Sequence, residues 1–204
     1  MTSTVKQELV ESKSTSDNDR PLTLEEYDDR HQKHELVYGI AKDDINKRIT
    51  LVFRGTENEL AFQSNWSTNL FLSKTKGKLP EVLKDDLKLP GFWKSIWFHS
   101  GFYKYVFDIT KDENDDETWR KYDEIVVDVK RLLERYPNYK LYVTGHSLGG
   151  GLSTLVSFYL ACEPDIPKPV TCINFASPRM GDPNFLQAVQ ELEQRRWLRM
   201  LRVV

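Results

Sequence analysis

The stretch "KLYVTGHSLGGGLSTLVSFYLAC", residues 140–162, decides the fold. "KLYVTG" (140–145) is short and rich in β-formers, and "LGGGLSTLVSFYLAC" (148–162) is an apolar run of helical length. A buried strand that turns at once into a buried helix is the unit of a parallel α/β sheet. Between the two sits Gly145-His146-Ser147-Leu148-Gly149, the Gly-x-Ser-x-Gly pattern. On its own this pattern is weak, but strand, tight turn and helix in this order form a nucleophile elbow. The turn holds the serine in a strained backbone conformation. Side chains two residues to either side would then strike the adjoining backbone, and Gly145 and Gly149 remove them. Ser147 is therefore the candidate nucleophile, and the N–H of Leu148, at the helix N-terminus, is a candidate oxyanion donor.

Working outward, "LVFRGT" (51–56) ends a strand in Arg-Gly-Thr, where the Thr56 amide can supply the second donor that acyl transfer needs. "ELVYGIA" (35–41) and "RITLVFRG" (48–55) read as neighbouring strands joined by the turn residues "KDDIN". Tyr122, Ile125, Val126, Val129, Leu132, Leu133 and Tyr136 recur at helical spacing. "VTCINFAS" (170–177) reads as a strand, residues 184–196 as a helix, and "LRMLRVV" as a closing strand. This alternation predicts a mostly parallel sheet covered by helices on both faces. Residues 57–95, punctuated by glycine, proline and lysine, read as a long irregular excursion with short helical turns, and "KDENDDET" (111–118) as an acidic surface loop.

The chain of 204 residues suits one domain, 21–204, preceded by a polar, serine-rich tail over 1–20. Lys and Arg number 29 against 31 Asp and Glu, a net charge of −2 that points to no nucleic-acid partner. No run is long enough for a transmembrane helix, and the tail lacks the apolar core of a signal peptide. With Met1 as the start, the expectation is an intracellular, cytoplasmic protein. Cys162 and Cys172 lie in apolar stretches and read as small core residues. No metal or nucleotide cofactor is implied, since ester cleavage by an activated serine needs neither.

Together, "LVFRGT", "HSGFYKY", "VTGHSLGGGLSTL" and "FASPRMGDPNF" resemble the class 3 lipases, the fungal-type triacylglycerol lipase domains of the α/β-hydrolase superfamily. The resemblance runs from about residue 35 to 204. It implies an α/β-hydrolase fold, with Ser147 as nucleophile, Thr56 and Leu148 as oxyanion amides, and acyl-lipid substrates met at a lipid surface. It places a lid around 57–70, with Phe62 and Trp66 as substrate contacts. The cluster "GFWKSIWF" (91–98) adds Trp93 and Trp97 as rim candidates, or else as core.

The triad order of the superfamily is Ser, then Asp or Glu, then His. All four histidines, His31, His34, His99 and His146, precede Ser147. Of the later aspartates, Asp165 and Asp182 do not match the family's acid position. The resemblance places the acid and the histidine beyond a strand like "LRVV". The expectation is thus a chain cut short of its C-terminal strands, with little activity of its own. Two alternatives stay open: a non-catalytic lipid- or protein-binding descendant, and a phospholipase or acyltransferase using the same serine.

Overall fold

The computed structural model describes residues 22–28, 37–55, 73–84, 87, 95–111 and 118–204. Six strands form the main sheet: β1 (Leu22–Asp28), β2 (Tyr38–Asp43), β3 (Arg48–Phe53), β8 (Lys140–His146), β9 (Val170–Phe175) and β10 (Leu198–Val203), in that order. β1, β2 and β3 pair antiparallel, and β3, β8, β9 and β10 run parallel. Two hairpins lie apart from the sheet, β4 (Lys74–Gly77) with β5 (Ile96–His99) and β6 (Ile109–Lys111) with β7 (Thr118–Arg120). The helices are α1 (Ser100–Phe107), α2 (Lys121–Arg135), α3 (Leu148–Cys162) and α4 (Pro183–Gln194).

Local chemistry accounts for several boundaries. The β2–β3 turn closes because Asp43 Oδ1 accepts the N–H groups of Ile45 (3.0 Å) and Asn46 (2.9 Å). α4 begins where Asp182 accepts the Phe185 N–H at 2.9 Å and Pro183 fits the first turn. α2 carries Asp123 and Glu124 in its first turn and Arg135 in its last, matching the helix dipole.

Register arranges the core in rows across the sheet. One row is Ile40, Leu51, Val143, Cys172 and Met200, and the next is Tyr38, Phe53, Gly145, Asn174 and Arg202. The buried strand residues join Phe102 of α1, Ile125 and Val129 of α2, Leu155 and Phe158 of α3, and Ala188 and Leu192 of α4 in one core. The opposite face carries Val52, Phe175 and Leu201, which are 40%, 44% and 57% exposed. Among the described residues the helices therefore collect on one face, which corrects the expectation of cover on both. The reason is topological. The connections from β3 to β8, β9 and β10 all step the same way across the sheet, and right-handed crossovers then place every helix on the same side.

In the excursion over 57–95 a short helical turn of the kind expected is present, a 3₁₀ turn at Glu81–Leu83, and β4 adds a strand that was not expected. β1 and α1 are also additions to the sequence reading. Among the described residues no helix is long and apolar enough to cross a membrane. Cys162 and Cys172 are free thiols, and burial raises both above the usual cysteine range, Cys162 to about 12. Both thus stay protonated and act as packing groups.

Candidate active site

Ser147 lies between the last residue of β8 and the first of α3, with φ 53° and ψ −116°. A positive φ in a residue with a Cβ is strained and persists only where the surroundings over-determine it. Here they do. The Ser147 N–H donates to the Phe175 carbonyl of β9 at 2.9 Å, and its own carbonyl accepts the Gly151 N–H at 3.1 Å in the first turn of α3.

The two glycines of the motif have the roles their spacing suggests. A Cβ on Gly145 would run into the Gly149 carbonyl, and one on Gly149 into the Phe53 carbonyl of β3, both well inside van der Waals contact. The obstacles are backbone, so no rotamer change relieves them. Gly150 sits against Phe175 O and the Ser177 Cβ, each 3.0 Å from where its own Cβ would stand. Three strands and a helix are thus locked around one serine.

Leu148, half-buried, is the first residue of α3, and its side chain packs on the core. An N–H at this position has no partner within its helix, which leaves it available to an anion beside Ser147. From the other side, Gly55 approaches the elbow closely: a Cβ there would lie 3.1 Å from the His146 carbonyl. The exit of β3 is therefore brought to Ser147, while Thr56 itself lies outside the described residues.

This elbow, in this sheet, belongs to a family that the sequence match identifies: residues 50–204 match the family "Lipase (class 3)". The chain belongs to the class 3 lipases. It is 35% identical over 115 residues to phospholipase A1-IIgamma of Arabidopsis thaliana, covering 51% of this chain and 27% of that protein. It is 28% identical over 160 residues to phospholipase A1-II 3 of Oryza sativa subsp. indica, covering 74% and 35%. The chain thus spans about a third of the length of these relatives. Its fold matches the crystal structure of Lip2 lipase from Yarrowia lipolytica with a TM-score of 0.62 at 22% identity, over 85% of this chain and 52% of that one.

Within this class 3 lipase domain, the remaining polar candidates have other occupations. His99, half-buried at the junction of β5 and α1, donates its backbone N–H to the Met180 carbonyl, and Asp182 donates its own to Trp97 O at 3.0 Å. These backbone bonds tie β5 to the 180–182 corner. His146 is exposed. Asp165 pairs with Lys130 at 2.9 Å, beyond the far end of α3, a helix ~22 Å long at 1.5 Å per residue. Asp182 is engaged as the cap of α4. Phe62, Trp66 and Trp93 lie outside the described residues. Trp97 is 41% exposed, while Ile96 and Phe98 beside it are fully buried, so strand alternation divides that aromatic cluster between surface and core.

Sequence reasoning missed what holds the turn after β9. Ala176 adopts φ 49° and donates its N–H to Val203 O at 2.8 Å. Arg202 Nε and Nη2 both donate to the Ser177 carbonyl, at 2.9 and 2.6 Å. No motif marks these residues, because their neighbourhood comes only from the pairing of β9 with β10.

Proposed function

We propose that a protein carrying this class 3 lipase domain cleaves acyl esters of glycerolipids through a covalent acyl-enzyme formed on Ser147, and that residues 1–204 alone, with no triad acid or histidine after Ser147, have little activity. The observation that carries the reading is the backbone of Ser147 itself, held at positive φ at a strand-to-helix turn where an incidental serine would relax. Ser147 Oγ attacks the ester carbonyl carbon and gives up its proton to a general base. The oxyanion is held by the Leu148 N–H, with the Thr56 amide as the second donor carried by the family resemblance. The alcohol departs with a proton, and water then releases the fatty acid and restores the serine.

The relatives favour one substrate class within this reading. Both are phospholipases A1, so an acyl ester of a glycerophospholipid is preferred to a triacylglycerol. The test uses protein carrying this domain, with dispersed phosphatidylcholine and a triacylglycerol emulsion as substrates. Ser147→Ala should lower hydrolysis by about a thousandfold or more, to the detection limit. A fluorophosphonate probe should label Ser147 and no other serine. Undiminished hydrolysis in Ser147→Ala overturns the nucleophile. Absence of labelling in folded, hydrolytically silent protein supports the binding-module reading instead.

A further inference from the structure

Arg202 stands two strands away from the elbow: it is level with Asn174 of β9, which is level with Gly145 of β8. Its guanidinium reaches the turn that follows β9, where Nε and Nη2 both donate to the Ser177 carbonyl, at 2.9 and 2.6 Å. Hydrogen bonds from a charged fork are among the stronger ones, and they fix the direction of the acceptor as well as its position. Packing alone does not fix this side chain, since it lines a cavity of about 550 Å³ beside β9, β10 and α4.

The residue before Ser177 is the reason this clamp matters. Ala176 is exposed and has φ 49°, a conformation that a residue with a Cβ leaves unless it is held. It is held on both sides. Arg202 fixes the carbonyl that follows it, and the planar Phe175–Ala176 peptide fixes what precedes it. That one peptide bonds in two directions: its N–H donates to Val203 O of β10 at 2.8 Å, and its carbonyl accepts the Ser147 N–H at 2.9 Å. Relaxation at Ala176 would turn this plane and withdraw the acceptor that holds Ser147 at positive φ. The same turn is the seat of α3. A Cβ on Gly150 would stand 3.0 Å from the Phe175 carbonyl oxygen and 3.1 Å from the Ser177 Cα. Movement of residues 175–177 therefore reaches the first turn of α3, which carries the Leu148 N–H.

We infer that Arg202 is a positioning residue for the acyl transfer: through the Ser177 carbonyl and the Phe175–Ala176 peptide it sets the backbone of Ser147, and with it the aim of Oγ. The catalytic consequence rests on the reading of Ser147 as nucleophile. The mechanical link from Arg202 to the Ser147 N–H does not.

Two measurements on protein carrying this domain separate link from consequence. Amide hydrogen exchange reads the link without chemistry. Arg202→Met, which keeps an unbranched side chain and removes both donors, should speed exchange of the Ser147 N–H by about tenfold or more. Exchange of the Ile125 amide in α2 should stay unchanged. Fluorophosphonate labelling reads the consequence. In Arg202→Met the rate constant should fall by about ten- to a hundredfold while the final stoichiometry matches the wild type, because a misplaced nucleophile reacts slowly and an unfolded one does not react. Arg202→Lys, which returns a charged donor to the Ser177 carbonyl, should lie between the two, and it carries both comparisons where Arg202→Met does not fold. Wild-type exchange at Ser147 in the folded variants overturns the inference. So does a wild-type rate constant of labelling, or lost stoichiometry at an unchanged rate constant, which marks a merely structural residue. Wild-type protein that takes no label overturns the nucleophile reading and the positioning role with it, while the exchange data still decide the link.

Discussion

At the scale of single residues, the glycines carry as much of the site as the serine. Gly149 has no room for a methyl group because the Phe53 carbonyl of β3 occupies that space, and the same strand delivers Arg54 and Gly55 towards the elbow. Gly149→Ala must therefore separate β3 from α3 or flatten the turn. We expect a loss of about 2–3 kcal/mol in urea unfolding and a matching loss of fluorophosphonate labelling at Ser147. Gly39→Ala is the control: the nearest atoms would stand 3.4 Å away, an ordinary contact, and unfolding should shift by less than about 1 kcal/mol. The steric roles of Gly145 and Gly149 were legible because a strand, a tight turn and a helix in that order leave no room for a Cβ at either position. Asn174 and Arg202 were not, since nothing in "INF" or "LRVV" states which strand lies next to which.

At the scale of elements, long periodic segments were legible and short aromatic ones were not. α2 and α3 lie where the sequence reading put them, because each combines helical length with a clear apolar pattern. α1 escaped notice. Its apolar residues Phe102, Tyr103, Tyr105, Val106 and Phe107 run almost without a break, so periodicity has nothing to grip, and the helix is set by packing on its neighbours. The C-terminus of α3 has a chemistry of its own. Lys168 Nζ donates to the carbonyls of Leu160 (3.3 Å) and Glu163 (2.6 Å), which favours the ammonium, yet burial outweighs them and lowers its pKa to about 8. Between about pH 8 and the ordinary lysine value near 10.5, the unfolded chain holds a proton that the folded chain has released. Stability from this group therefore rises with pH across that window and is lowest below it. The urea midpoint of the wild type, measured relative to Lys168→Met, should increase from pH 7 to pH 10. A flat difference would place Lys168 in water.

At the scale of the whole molecule, the antiparallel edge is fastened to the helical layer by charges far apart in sequence. Lys121 of α2 is nearly buried and meets Asp28 of β1 at 2.8 Å and Glu124 at 2.8 Å, while the Tyr38 hydroxyl donates to Asp128 at 2.7 Å. Burial and that carboxylate drive the Tyr38 phenol well above its usual range, so it acts as a fixed donor. Removing one partner leaves the other charge buried and exposed to the full desolvation cost. Lys121→Met should destabilise by about 3–5 kcal/mol, whereas Lys121→Met with Asp28→Leu should recover most of that loss. A double variant no better than the single one would mean that the pair contributes nothing beyond packing. The sequence by itself determined the strand–elbow–helix unit, the parallel run that follows it and the serine at its centre, because these rest on local spacing, propensity and steric exclusion. Only the tertiary structure decided that the helices gather on one face, that β3, β9 and β10 close around the elbow, and that a cavity lies beside β10. Those follow from strand order and crossover hand, which bring together residues that no local pattern connects.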